Sequence, residues 1–138
     1  AGIADGLGYG DNTKAALITR GIAEISRLGT AMGANPHTFF GLSGIGDLVV
    51  TCASIHSRNR KAGYLIGQGL AMQEAMDEVH MVVEGVYSAR AGLKLAEKYG
   101  IEMPIITVVN QVLFDGKPAA EGVRELMQRV KKDELEAW

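Results

Sequence analysis

The sequence predicts an all-α domain, and three observations carry that prediction. Apolar residues recur three or four positions apart through most of the 138 residues. That spacing puts them on one face of a helix. The breaks between these segments fall mostly on glycine, of which there are 18 against 3 prolines. Only two short runs, 47–52 and 79–83, have the β-branched content of strands, and nothing alternates strand with helix over a useful length. The length suits one domain with its own hydrophobic core.

The elements follow in order. The segment 1–7 reads as half of a helix. Asn12 or Thr13 is suited to cap the first long helix, predicted over 13–32, because a short side-chain oxygen can accept from a free main-chain N–H. Ala15, Leu17, Ile18, Ile22, Ile25, Leu28 and Met32 form its apolar face. Gly21 and Gly29 within it predict close packing against a neighbour, and Gly33-Ala34-Asn35-Pro36 stops it. His37 to Phe40 is a short helical turn after Pro36, and 41–46 a glycine-rich connection. The run 47–52 is ambiguous between strand and helix. From Ser57 a polar turn leads into a helix over 60–67, closed by Gly67 and Gly69. A short helix over 72–79 runs into the second strand-like stretch, 79–83. Val86, Ala89, Leu93, Leu95, Ala96 and Tyr99 give a helix over 84–99 that stops at Gly100. Pro104 opens the next helix, since the first turn needs no N–H there, and Ile105, Val108, Val109, Val112 and Leu113 continue it to Gly116. Pro118 opens the last, through Val123, Leu126, Met127 and Val130, and the charged tail KKDELEAW is expected to fray. There is no repeat, low-complexity segment or internal linker.

Composition narrows the function. Apolar residues make up 47% and charged residues 22%, an ordinary globular balance that argues against disorder. Fourteen Lys and Arg against 16 Asp and Glu give no electrostatic case for nucleic acid or an anionic membrane. No apolar run approaches the ~20 residues that span a bilayer, and the start shows neither a basic region nor an apolar signal core. Cys52 alone allows no internal disulfide and no multi-cysteine metal site. A chain that opens on Ala1-Gly2-Ile3 without a methionine reads as a piece of something longer.

Few residues offer chemistry. Gly6-Leu7-Gly8-Tyr9-Gly10 and Gly41 to Gly46 lack the G-x-G-x-x-G order and the strand–helix context of a dinucleotide loop, so they read as tight helix connections. His37, His56 and His80 are scattered at no metal-binding spacing. A Cys52/His56 pair imitates a catalytic dyad, but a buried core thiol is the better reading of Cys52. Lys14, near the start of a helix where a cation is unfavourable, is expected to meet an acidic partner or ligand. Tyr9, Tyr64, Tyr87 and Tyr99 are expected in the core or at its boundary. The informative stretch is Ser57-Arg58-Asn59-Arg60. A hydroxyl, two guanidiniums and an amide fall together, and at a helix start the free N–H groups and the dipole would favour an anion as well. Asp47, eleven positions before Arg58, supplies a carboxylate that can accept from substrate hydroxyls. From spacing alone, an anion site and a solvated surface turn with Ser57 as its cap stand level.

Four segments, GLGYGDNTKAALITRGIAEISRLGTAMGANP, GLSGIGDLVVTCASIHSRNR, MVVEGV and the MPI…VL stretch, occur in order over the chain to about Arg129. Together they resemble the C-terminal domain of bacterial-type NAD(P)-dependent glycerol-3-phosphate dehydrogenase. The resemblance implies a compact multi-helix fold of the 6-phosphogluconate-dehydrogenase C-terminal type. It makes 1–138 a single helical substrate-binding domain without the N-terminal Rossmann domain. It also implies that the catalytic lysine, from a Lys-Asn pair, lies upstream of this chain. Lys14 matches the Lys of the D-N-T-K motif and is not that base.

Carried over residue by residue, Asp47 resembles the aspartate that binds the glycerol hydroxyls and organises the lysine, and Thr51 a hydroxyl of the same pocket. Ser57, Arg58 and Asn59 resemble the contacts to the substrate phosphate. Arg58, Val82 and Glu84 resemble cofactor contacts. Gly46 lets the backbone approach, and Arg60 supports the contact residues from behind. The implied reaction is reversible reduction of dihydroxyacetone phosphate to glycerol 3-phosphate with NAD or NADP, held mainly by the absent domain. A cytoplasmic homo-oligomer serving phospholipid precursor synthesis, without nucleic acid or membrane insertion, completes the expectation. Two alternatives stand beside it. The helical domain of a phosphogluconate- or ketopantoate-type dehydrogenase fits the SRNR and GDLVVTC segments poorly. A non-catalytic helical module binding an anionic small molecule or a protein becomes preferable if this chain is the complete gene product.

Overall fold

The structure, a computed structural model, describes residues 1–129. Eight α-helices follow one another there: α1 Gly2–Gly6, α2 Asp11–Ala31, α3 Asp47–Ala53, α4 Arg58–Gly67, α5 Met72–Val79, α6 Glu84–Tyr99, α7 Pro104–Phe114 and α8 Ala119–Gln128. A 3-10 turn, Pro36–Phe40, and a π turn, Leu42–Gly46, connect α2 to α3. Among the described residues no strand forms. Val130 and the charged tail lie outside the described residues.

Both strand-like runs resolve differently from strands. Residues 47–53 are α3, continuous with the π turn before it. Val49 and Val50 are exposed and have no sheet to pair with, so their β-branched preference has nothing to act on. In 79–83, α5 ends at Val79, and His80 after it, with φ 57°, turns the chain left-handed. Val79 and Val83 are buried on either side of the exposed Met81 and Val82. The run is therefore a connector anchored at both ends.

Helix starts also shift. The cap of α2 is Gly10 in an extended conformation, not Asn12 or Thr13, and Asp11 then sits in the first turn where the dipole favours an anion. Ser57 caps α4, so that helix begins at Arg58 rather than at 60. Pro104 opens α7 as expected, whereas Pro118 is the residue before α8. The four tyrosines are exposed, not core.

Two apolar clusters organise the domain. Ala62, Val79, Val83 and Val86 join α4, α5 and α6, with Leu113 and Phe114 of α7 against them. Leu28, Ala96 and Met103 join α2 to the α6–α7 corner. Asn110, buried on α7, donates to the carbonyls of Ala89 at 2.8 Å and Ile106 at 2.9 Å, which ties α7 to α6 without an unpaired amide N–H.

The α1–α4 crossing is closer still. Gly2 and Gly6 of α1 meet Gly63 and Gly67 of α4 backbone to backbone. A Cβ at Gly63 would lie 3.0 Å from the Ile3 nitrogen. At Gly2, Gly6 and Gly67 it would fall on the carbonyl oxygens of Arg60, Tyr64 and Ile3, nearer than any real side chain approaches. The Gln68 amide also donates to the carbonyl of Gly6. This contact fixes where the start of α4 stands.

Glu24 is a buried charge with a structural task. Its carboxylate accepts from the main-chain N–H of Ile105 at 2.8 Å and Ile106 at 3.4 Å. These are two of the orphan donors at the start of α7, where Pro104 has none to offer. Burial pushes the Glu24 carboxyl above its ordinary value, against those two hydrogen bonds and the nearby Arg27 and Arg129. The folded state thus holds the Glu24 proton more tightly than the unfolded state. Its contribution is complete below the ordinary value of 4.5 and is lost as pH rises through the higher folded value. The unfolding free energy of wild type, measured relative to Glu24→Gln, is expected to fall over that interval. A pH-independent difference would contradict the assignment.

Candidate functional site

The candidate site is built on the start of α4. Ser57 Oγ accepts from the Arg60 N–H at 3.2 Å, and the Ser57 carbonyl accepts from Lys61 at 2.9 Å. The main-chain N–H groups of Arg58 and Asn59 have no protein acceptor among the described residues. Two donors and the positive end of the helix dipole are therefore open at this point. The hydroxyl hydrogen of Ser57 is also free to donate, since its oxygen alone is spent on the cap.

Thr51, Ser57, Arg58, Asn59 and Glu84 line a cleft of about 420 Å³. Three of these come from the start of α4 and its cap, Thr51 from α3, and Glu84 from the first position of α6. Arg58 is exposed, and its guanidinium makes no ion pair among the described residues. Asn59 is partly committed: its Oδ1 accepts from the Gly85 N–H at 2.9 Å.

Asp47 and Val82 do not line this cleft. Asp47 is exposed at the first position of α3, four residues before Thr51 and so on the same face one turn earlier. Val82 is exposed on the connector two residues before Glu84. Val50, Ser54 and His56 complete the wall and were not anticipated as site residues. Ser54 caps the end of α3 and its Oγ accepts from the His56 N–H at 3.1 Å. A Ser two residues before a His in a loop is the available sequence signal for such a turn.

The two arginines have separate roles. Arg60 points to α1, where its Nε and a terminal nitrogen contact Asp5 Oδ2 at 3.0 and 2.8 Å. Lys14 of α2 holds the other Asp5 oxygen at 3.0 Å. Asp5 is the acidic partner expected for Lys14, supplied from another helix nine residues earlier. The largely buried cluster ties α1, α2 and α4 together and leaves Arg58 as the cation facing the cleft.

The Cys52/His56 pair does not form a dyad. Helix α3 ends at Ala53 and His56 lies beyond it in the turn. Burial raises the Cys52 thiol above its ordinary value, so it stays protonated. Among the described residues no group of three or more His, Cys, Asp or Glu assembles as a metal site, and no helix is long and apolar enough to cross a membrane.

What the cleft can do chemically is receive a small oxyanion. It combines open backbone N–H groups, a hydroxyl, an amide and one guanidinium, a donor set that matches phosphate. Fold and cleft together define an all-helical domain whose cleft, at a helix start, presents a donor set that suits an oxyanion. The chain belongs to the NAD-dependent glycerol-3-phosphate dehydrogenase C-terminus family, whose sequence model matches residues 1–124. It is 66% identical over its whole length to a glycerol-3-phosphate dehydrogenase [NAD(P)+] of Fusobacterium nucleatum, covering 41% of that protein. It is 71% identical over 97% of its length to one of Agathobacter rectalis, covering 40%. A crystal structure of glycerol-3-phosphate dehydrogenase from Coxiella burnetii superposes with a TM-score of 0.91 at 41% identity, over 93% of this chain and 39% of that one. The chain thus spans about 40% of the length of the curated relatives it matches.

Proposed function

We propose that this chain is the substrate-binding part of a two-domain NAD(P)-dependent glycerol-3-phosphate dehydrogenase, which interconverts dihydroxyacetone phosphate and glycerol 3-phosphate. The observation that carries this is the convergence of Ser57, Arg58 and Asn59 with the open N–H groups of α4 in one cleft. In this assignment Arg58, Ser57 and Asn59 hold the substrate phosphate. Thr51, with Asp47 one turn earlier on α3, serves the hydroxyl and carbonyl end. Fixing the phosphate leaves the ketone carbon at a set distance from the reacting groups, which converts binding energy into orientation. The proton for the developing alkoxide would come from the lysine that the family resemblance places upstream of this chain.

A bound nicotinamide would supply the hydride. Glu84 borders the cleft beside Arg58, and Val82 is exposed on the same connector, so this edge has residues able to meet a nicotinamide dinucleotide from outside. Arg58 would then serve phosphate groups of both molecules. Exposed apolar side chains include Leu42 at 91% and Ile55 at 76% exposure, Val50 in the cleft wall and Met81 beside Val82. They suit burial against the companion Rossmann domain or a second copy of the chain. A cytoplasmic location and supply of phospholipid precursors belong to the same proposal.

The chain alone is expected to be inactive, because its sequence contains no dinucleotide fingerprint. The check is NADH or NADPH oxidation with dihydroxyacetone phosphate, using protein free of host enzyme. Turnover near a common enzymatic rate of ~10 per second would overturn the division of labour proposed here. The full-length protein should supply that activity.

A further inference from the structure

We infer that Gly85 is a positioning residue for the substrate anion: its main-chain N–H fixes the Asn59 amide so that the NH₂ group, not the oxygen, is left for the ligand. This rests on the phosphate assignment above and adds a residue from another helix to it. A carboxamide has one accepting and one donating end. The Gly85 N–H lies 2.9 Å from Oδ1, and an N–H can be satisfied only by the oxygen. The Asn59 Nδ2 has no acceptor among the described residues, and Asn59 lines the cleft. An amide free to flip would present its oxygen to an anion part of the time. Gly85 removes that freedom.

The glycine itself is part of the device. Gly85 is the second residue of α6, where backbone geometry admits any residue and alanine is the better helix former. A Cβ there would meet Asn59 Oδ1 at 2.8 Å and Cγ at 2.9 Å. The site therefore lacks a side chain because Asn59 occupies the space. Glu84 precedes Gly85 and borders the same cleft, so the hydrogen bond also fixes the spacing between the starts of α4 and α6.

The test is a double-mutant cycle in the full-length protein, read as KM for dihydroxyacetone phosphate. Gly85→Ala should raise KM about tenfold with kcat little changed. In an Asn59→Ala background, the same substitution should change KM less than twofold, because the amide it displaces is gone. Asn59→Asp keeps an acceptor for Gly85 but puts a carboxylate oxygen where the NH₂ was, so its KM should exceed that of Asn59→Ala. Thermal unfolding of Gly85→Ala should match wild type or rise, since alanine suits the helix. Equal effects of Gly85→Ala in both backgrounds, or none in either, would overturn the positioning role. An unchanged KM in Asn59→Ala would instead remove Asn59 from the phosphate contacts, and the premise with it.

Discussion

Gly6→Ala and Gly67→Ala are each expected to lower the unfolding free energy by about 3 kcal/mol, the upper end of overpacking effects. Elsewhere in a helix, Gly→Ala stabilises by roughly 0.5–1 kcal/mol because alanine has less conformational entropy to lose. The sign reverses here because the added methyl has nowhere to go. At Gly6 it meets the Tyr64 carbonyl and the Gly67 Cα, and at Gly67 the Ile3 carbonyl and the Gly6 Cα. These are backbone atoms, which no rotamer change can move. Relief requires α1 and α4 to separate, which strains the Asp5–Arg60 ion pair and shifts Ser57 to Asn59 with the helix they begin. Gly21→Ala is the internal control. It also lies within a helix, but the nearest atom to its Cβ is Leu48 Cδ2 at 3.9 Å. Urea unfolding followed by circular dichroism should show Gly21→Ala neutral or stabilised and the crossing variants destabilised. Similar behaviour of all three would show that the crossing yields more readily than its geometry implies.

Arg58→Ala in the full-length protein carries the largest functional effect. A charge-assisted arginine–phosphate contact contributes roughly 1.5–3 kcal/mol. Its loss should therefore raise KM for dihydroxyacetone phosphate by about one to two orders of magnitude. Arg58→Lys should recover only part, since an ammonium lacks the planar fork. Arg60→Ala provides the contrast. It leaves Asp5 with Lys14 alone, so it should reduce stability while KM changes far less. Equal small KM effects at both positions would make Arg58 a solvated helix-start residue.

Much of the fold was legible because helix periodicity and glycine stops act over short distances. The helix over 84–99 and the helix opened by Pro104 follow from Val86, Ala89, Ala96, Val108 and the punctuation at Gly100 and Pro104, though the latter ends at Phe114 rather than running to Gly116. The runs 47–52 and 79–83 were not decidable locally, since β-branched residues choose between strand and helix by what stands beside them. Ser57, Arg58 and Asn59 were legible as a group because cap, cation and amide are consecutive. Their order within the site was not. Nothing local says that Arg60 turns to Asp5, 55 residues away, or that the Asn59 oxygen is spent on Gly85, 26 residues on. Locally, Gly6 reads as a connector and Gly67 as a helix stop, and nothing local marks Gly2 or Gly63. Only the packing of α1 on α4 reveals them as one contact.

The place of the substrate phosphate at the start of α4 is measured by one ratio. In the full-length protein, kcat/KM for dihydroxyacetone phosphate divided by that for dihydroxyacetone isolates what the phosphate contributes. Arg58→Ala should reduce this ratio about ten- to a hundredfold, because the substrate without phosphate never used the arginine. A variant that slows both substrates in proportion, leaving the ratio intact, would place the phosphate elsewhere and contradict the assignment of this cleft.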